Sequence, residues 1–228
     1  MPRCGKTSTP PAILRVFPLT GCILLPGNWL PLHIFEPRYR ALVTDAIASD
    51  QFIGMVQPVI PAPDNSGPVE EPNGAPELHH IGGAGRIEHY LPEPDGRFHI
   101  LLKGVTRFRL IRELAVEKGY RRFEVSYEGY DADALEPRRP LDAADILEAL
   151  QVLRASHSIS IEPEDFKNLA GIAVLNGLAA ALPFSPAEKQ ALLEAPAPCD
   201  RQKILLALMT MGFRQGTGTR VLPPGTIH

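Results

Sequence analysis

The stretch Leu30-Pro31-Leu32-His33-Ile34-Phe35-Glu36-Pro37-Arg38-Tyr39-Arg40 decides the fold, because it joins an irregular strand directly to a helix. Pro31 cannot donate a hydrogen bond to a neighbouring strand, which predicts an edge strand or a bulge over residues 29–35. Glu36-Pro37 predicts a helix start, since proline suits the first helical position and an acid is favourable near the positive end of the helix dipole. The sequence therefore predicts a strand-to-helix corner.

The helix after this corner carries one apolar stripe and is expected to end near Ser49-Asp50. Apolar side chains recur at helical spacing at Tyr39, Leu42, Val43, Ala46 and Ile47. Short runs of β-branched and aromatic residues lie on either side, at 13–17 and 52–56, and predict strands against which the stripe packs.

A strand-rich block follows, with predicted strands at 78–91, 98–102, 105–114 and 120–127. Asp95-Gly96 predicts a hairpin turn, and Gly104 predicts a bulge or a sharp bend. Gly82-Gly83-Ala84-Gly85 lacks the third glycine of a dinucleotide fingerprint, so a bulge is favoured over a cofactor loop. About six strands with one early helix indicate an α+β fold built on a partly closed β-barrel.

After residue 136 every periodic segment is helical, which predicts a C-terminal helical bundle over residues 137–213 packed on a barrel subdomain of residues 13–136. Helices are expected at residues 141–156, 163–181, 186–195 and 200–211. Ser185-Pro186-Ala187-Glu188 predicts a capping box at the start of the third. The remaining segments are predicted to be a disordered N-terminus at 1–12, a mobile proline-rich loop at 59–76 and a flexible tail at 214–228.

Charge and cysteine content exclude several classes of protein. The chain has 228 residues and a net charge of −3, so no global field draws it to nucleic acid or anionic membranes. Its three cysteines are odd in number and far apart, which favours a cytoplasmic protein without disulfides. Leu19-Thr20-Gly21-Cys22 resembles a lipoprotein cleavage box, but prolines and Arg15 interrupt the apolar segment before it, so export is not expected. The uncharged segment 168–187 is interrupted by Asn176 and two prolines, which favours a buried helix over a membrane span.

No motif predicts catalysis, a cofactor or a metal ion. Gly5-Lys6-Thr7 matches only the end of a phosphate-binding loop and has no strand before it. The histidines at 79, 80, 89 and 99 lack an HExxH pair and nearby cysteines, so they are expected to be ordinary surface or core groups. His157 lies among serines at an expected helix end, with no sign of the orienting group that nucleophilic catalysis needs.

The corner at residues 30–40, with Phe17-Pro18-Leu19 and Leu25-Pro26-Gly27 before it, resembles the opening of the Lon protease N-terminal domain. The similarity continues through four further segments and covers roughly Ile13 to Phe213. These segments are Gly85-Arg86-Ile87, Asp95-Gly96-Arg97, Gly104-Val105-Thr106-Arg107-Phe108-Arg109, and Leu182-Pro183 with Glu188-Lys189-Gln190-Ala191-Leu192-Leu193-Glu194 and Arg201.

This resemblance implies a PUA-like barrel followed by a helical bundle, a module that engages unfolded or tagged polypeptides and that could serve a separate protease or chaperone. Lon proteases continue into an ATPase module and a Ser-Lys protease module, and this sequence ends at His228 before either. The expectation is therefore a stand-alone, non-enzymatic recognition domain without ATP hydrolysis or peptide cleavage.

The best positional match for a polypeptide-binding site is Phe35, Glu36, Arg38 and Tyr39, where Arg38 could pair with a client's carboxylates. The competing interpretation is structural: Glu36 serves the helix start, and Tyr39 packs in the barrel. An exposed apolar groove between the barrel and the helical bundle would be the more persuasive binding site. A contiguous exposed apolar patch beside this helix would favour polypeptide binding over the other functions.

Two other functions remain open from the sequence. PUA-like barrels also occur in RNA-modifying enzymes, and five arginines fall in the predicted strands at positions 107, 109, 112, 121 and 122. Glu113, Glu117 and Glu124 dilute that charge, so RNA binding is the alternative and not the first choice. A small-molecule enzyme would need a closed polar pocket with perturbed titrating groups, of which the sequence gives no sign.

Overall fold

The computed structural model describes residues 9–59, 76–115, 118–133, 142–156 and 169–211. The strands are β1 Ile13–Pro18, β2 Trp29–Ile34, β3 Phe52–Val56, β4 Ile81–Pro92, β5 Phe98–Leu114 and β6 Arg121–Ser126. The helices are α1 Pro37–Ile47, α2 Ala144–Ser156, α3 Gly171–Ala181, α4 Pro186–Glu194 and α5 Pro198–Met211.

The strands form one mixed sheet in the order β2-β5-β4-β3-β1-β6, and β5 also pairs with β6. Among the described strands, only the β1–β3 pairing is parallel. The first half of β5 pairs with β2 and its second half with β6, so the pairings run around a ring from β1 through β3, β4, β5 and β6. The prediction of an α+β fold with a partly closed barrel is confirmed.

The long strand β5 differs from the sequence prediction, which divided it into two strands at Gly104. It is continuous over 17 residues, because the chain accommodates one extra residue without leaving the sheet. Gly85 pairs with Gly104 and Ala84 with Thr106, so Val105 is left over as a bulge. The bulge at this glycine was correctly predicted, and the break was wrong.

The apolar stripe of α1 was predicted correctly. Tyr39, Leu42, Val43 and Ala46 are buried against the sheet, and Ile47 packs at the edge of the same cluster. A second cluster fills the barrel around Leu14, Phe52 and Phe108. α1 thus closes one side of the barrel and fixes the corner that precedes it.

The glycines of β4 and β5 allow the chain after β1 to cross the sheet at close range. A Cβ atom on Gly83 would overlap the carbonyl oxygen of Leu24, and one on Gly104 would overlap that of Leu25. The glycine-rich segment therefore serves backbone packing. Leu25 continues into the core of the C-terminal helices, so the crossing segment joins the two parts of the molecule.

The four C-terminal helices share one apolar core, in which α5 contacts the other three. The predicted capping box is present: Ser185 Oγ accepts a hydrogen bond from Glu188 N, and Ser185 N donates to Glu188 Oε2 at 2.8 Å. The second predicted helix is shorter, since α3 begins at Gly171 and residues 169–170 before it are not helical. α2 begins at Ala144 instead of residue 141.

The buried α3 agrees with the interpretation of residues 168–187 as core. None of the helices in the described ranges combines the length and apolar character that crossing a bilayer requires.

Cleavage of the chain before Cys22 would remove β1, which pairs with both β3 and β6. The predicted disordered N-terminus, proline-rich loop, subdomain boundary at 136, serine run at 156–160 and tail lie wholly or largely outside the described residues.

Candidate functional site

The corner between β2 and α1 is formed by the backbone. Glu36 is extended, with φ −65° and ψ 135°, and its carbonyl oxygen accepts hydrogen bonds from the amides of Tyr39 and Arg40. The Glu36 side chain makes no capping bond. It accepts instead from Arg38, with Nε at 3.0 Å and a second guanidinium nitrogen at 2.9 Å from Oε2.

The four predicted site residues divide into a buried and an exposed set. Tyr39 is 7% exposed and packs against Phe17, with ring centroids 4.2 Å apart and ring planes tilted by 32°. Burial of Tyr39 raises the pKa of its hydroxyl. Phe35 is 60% exposed. The side chain of Tyr39 is therefore a core group, whereas Phe35, Glu36 and Arg38 face solvent.

Strand alternation continues the exposed side of the corner along β2. Trp29, Pro31 and His33 point away from the core, and the rings of His33 and Phe35 lie 6.1 Å apart. His33 pairs with His99 on β5, which pairs in turn with Leu91 on β4. We call this three-strand surface the outer face, defined by the residues Trp29, Pro31, His33, Phe35, Leu91 and His99.

The outer face carries large exposed apolar side chains beside its two histidines, and it has a charged margin. Trp29 is 45% exposed and Leu91 is 65% exposed. The ammonium group of Lys103 lies 5.2 Å from the centre of the Trp29 ring, and Arg38 is held by Glu36. Large exposed apolar side chains gathered on one surface are typical of a contact site for another molecule.

A group of potential metal ligands lies on the same face. His33, Glu93 and His99 bring their donor atoms within 4.8 Å of one another. The sequence prediction treated His99 as an ordinary surface group and did not consider His33. Spacing along the chain could not reveal these three ligands as a group, because they meet only through the pairing of β2 with β5. A correct prediction of the β2–β5 register would have been needed to find them.

Three of the five arginines considered for RNA binding are paired with acidic side chains. Arg107 is buried and bonded to Asp133, with Nε at 2.9 Å from Oδ2. Arg112 pairs with Glu124 at 2.9 Å and Arg121 with Glu113 at 2.7 Å. Glu113 and Glu124, which dilute this charge in the sequence, thus also pair with it in space.

An open groove in the described part of the chain bears on the small-molecule interpretation. A groove of about 320 Å³ lies beside Pro76, Leu78, Ile111 and Phe123 at the far end of β5. Arg121 and Glu113, which line it, are bonded to each other.

Comparison with known proteins identifies the fold and the family. The family model described as the ATP-dependent protease La (LON) substrate-binding domain matches residues 13–211. This chain belongs to the Lon substrate-binding domain family. The resemblance seen in the sequence is thereby confirmed over almost the range expected from its motifs.

Relatives of this Lon domain include Lon protease 2 of Myxococcus xanthus, which is 29% identical over 206 residues, covering 87% of this chain and 24% of the relative. The Lon protease of Phenylobacterium zucineum is 29% identical over 83% of this chain and 23% of its own. The chain thus spans about a quarter of the length of these relatives.

Solved structures agree with this assignment. The crystal structure of a Lon N-terminal domain protein from Xanthomonas campestris has a TM-score of 0.56 and 27% identity, covering 86% of this chain and 97% of that one. The N-terminal domain of a Mycobacterium avium complex Lon protease has a TM-score of 0.53 and 18% identity, over 87% of this chain and 98% of that one. The second likeness concerns the fold alone.

Proposed function

We propose that this Lon domain recognises unfolded or tagged polypeptide and carries out no catalysis itself. The observation that supports this most is the outer face, where Trp29, Phe35 and Leu91 are exposed by 45%, 60% and 65%. The family description as a substrate-binding domain agrees with such a role. Phe35, Glu36 and Arg38 of the predicted site lie at one end of this face, and Tyr39 supports them from the core.

The chemistry of the outer face favours side-chain contacts over strand addition. Pro31 lies in the middle of β2 and has no N–H to offer a sheet partner. Apolar side chains of an extended client would instead pack on Trp29, Phe35 and Leu91, while Arg38 and Lys103 at the margin attract acidic residues. Affinity should therefore depend on apolar area and change little with salt.

We propose a separate protease or chaperone as the partner that acts on the bound client. We place the function in the cytoplasm. Cys22 and Cys199 are both free thiols, as a reducing compartment would keep them.

The single tryptophan makes the proposal directly testable, since it is Trp29 on the outer face. Its fluorescence should change on titration with a reduced and carboxymethylated polypeptide that contains no tryptophan, such as ribonuclease A treated in this way, with similar affinity at low and high salt. An RNA pool should give no comparable change, and ATP turnover and peptide cleavage assayed in parallel should stay at background. Steeply salt-dependent binding of RNA alone would favour the RNA alternative, and robust turnover would contradict a non-catalytic role.

A further inference from the structure

Two histidines and one glutamate meet on the outer face through the sheet register. His33 on β2 and His99 on β5 are paired residues, and their rings stack with centroids 4.5 Å apart and planes 9° apart. Glu93, in the turn between β4 and β5, points its carboxylate at both rings. Its Oε1 lies 2.8 Å from His99 Nε2, and its Oε2 lies 3.7 Å from His33 Nε2.

We propose that His33, Glu93 and His99 bind a divalent transition-metal ion, with Zn²⁺ as the best fit. Two imidazoles and one carboxylate form a donor set that zinc accepts with three protein ligands and one open position. Calcium and magnesium prefer sites made of oxygen atoms, so they fit this group poorly. A water molecule would complete the coordination from the solvent side.

The distances require only a local adjustment of side chains. Tetrahedral ligands on zinc, with bonds of about 2.0 to 2.1 Å, lie about 3.3 Å from one another. The three donor atoms here lie within 4.8 Å. The side chains of His33 and His99 are 40% and 54% exposed, so both rings have room to tilt toward a shared ion.

The backbone around the group is well fixed, which favours a defined site over chance proximity. β2 and β5 hold the two histidines in register. Glu93 N donates to Arg97 O at 2.8 Å and Gly96 N donates to Glu93 O at 2.9 Å, so the tight turn holds the glutamate. Because the backbone is already ordered, metal binding would cost little conformational entropy there.

Glu93 has an oxygen that a metal ion would satisfy. Oε2 is buried and accepts no hydrogen bond of good geometry within the described part of the chain, although the Arg97 Nε atom lies 2.9 Å away as an ion pair. Arg97 Nε also lies 2.6 Å from Asp95 Oδ2. If Glu93 turned to a metal ion, Arg97 would keep Asp95 as its partner.

The experiment is a calorimetric titration of the full chain with Zn²⁺ alone, in the presence of a non-thiol reductant. We expect one ion per chain, with affinity lowered at least about tenfold in His99→Ala and in Glu93→Gln, because each removes a direct ligand. The matched control is His89→Ala, since His89 is an exposed histidine on β4 outside the group; it should bind within about twofold of the wild type.

The visible absorption of bound Co²⁺ distinguishes direct metal ligands from residues that only support the fold. The wild type should show the strong visible absorption of tetrahedral cobalt, and both ligand variants should lose it while keeping the circular dichroism of the folded chain. The proposal is overturned if the wild type takes up no Zn²⁺, or if His89→Ala and His99→Ala weaken binding equally. Because the titration contains metal alone, its outcome is separate from that of polypeptide binding.

Discussion

Arg107 and Asp133 form a buried ion pair that joins the barrel to the C-terminal helices. Their side chains are 3% and 4% exposed, and two guanidinium nitrogens of Arg107 each lie 2.9 Å from a carboxylate oxygen. A third nitrogen donates to the carbonyl oxygens of Leu193 and Ala195 at 3.1 and 2.6 Å, at the end of α4. One residue of β5 thus connects a turn, a strand and a helix terminus.

Replacing Arg107 with methionine should lower the free energy of unfolding by about 3–5 kcal/mol, because the Asp133 carboxylate would remain buried without its partner. Urea unfolding followed by circular dichroism measures the change. The matched control is Arg112→Ala, whose exposed pair with Glu124 should contribute at most about 1 kcal/mol. Equal effects of the two substitutions would contradict the structural role given to Arg107.

The crossing of the chain over the sheet predicts an order among glycine substitutions. Gly83→Ala places a Cβ on the Leu24 carbonyl oxygen, which only a backbone shift can relieve, so we expect a loss of about 1–3 kcal/mol or more. Gly21 has φ +69° and open space around it, so Gly21→Ala should cost only the conformational strain, about 1–2 kcal/mol. Thermal unfolding should rank Gly83→Ala below Gly21→Ala; the reverse order would be inconsistent with the close approach at Leu24.

Two helix starts with similar sequences should respond differently to loss of the capping side chain. Ser185→Ala removes a reciprocal capping box and should destabilise the protein by about 1 kcal/mol. Glu36→Ala removes a side chain that makes no capping bond and that, among the described residues, pairs only with exposed Arg38. Its cost should therefore stay within about 0.5 kcal/mol. Chemical denaturation of both variants distinguishes them, and a larger effect at Glu36 would show that its carboxylate does serve the helix.

Asp45 on α1 should make stability depend on acidity. Hydrogen bonds from Lys118 and Tyr120 hold the pKa of its carboxyl below the ordinary value. Because the pKa of Asp45 is lower in the folded protein than in the unfolded chain, where it is about 3.9, the ionised carboxylate stabilises the fold at pH values above that unfolded-state pKa. This stabilisation is lost as the pH falls through the folded-state pKa.

Comparing the wild type with Asp45→Asn by urea unfolding at several pH values tests this. The wild type should have the advantage near neutral pH, and the difference should shrink below about pH 4. Tyr120→Phe removes the 2.6 Å hydrogen bond from the Tyr120 hydroxyl to Asp45. When Asp45→Asn is added to Tyr120→Phe, the free energy of unfolding near neutral pH should therefore fall by less than when Asp45→Asn is made in the wild type. A difference that does not vary with pH would contradict this role for Asp45.

The helix at the corner could be predicted from the sequence because its signals are local. The Pro37 start and the stripe from Tyr39 to Ala46 depend only on residues within one helix. The capping box at Ser185 is equally local, and it was also found. The continuity of β5 was missed because a bulge at Val105 and a break at Gly104 leave the same pattern in the sequence.

The contents of the candidate site were harder to predict, since they depend on burial and register. Arg107 looked like its neighbours in the sequence, yet Asp133 and the end of α4 enclose it. Tyr39 fits a binding site and a core equally well by residue type, and its contact with Phe17 decides for the core. His33 and His99 meet only because β2 and β5 pair in this register.

The central claim is that the outer face binds unfolded polypeptide, and paired substitutions of exposed apolar residues test it most directly. Leu91 on the outer face and Val152 on α2 are exposed by 65% and 67%. Fluorescence anisotropy of labelled, reduced and carboxymethylated lysozyme should show binding to the wild type and to Val152→Ser with equal affinity. Leu91→Ser should bind about tenfold more weakly, and Phe35→Ser likewise, in line with the loss of an apolar contact in an interface. Unchanged binding by Leu91→Ser and Phe35→Ser, or an equal loss in Val152→Ser, would contradict the account.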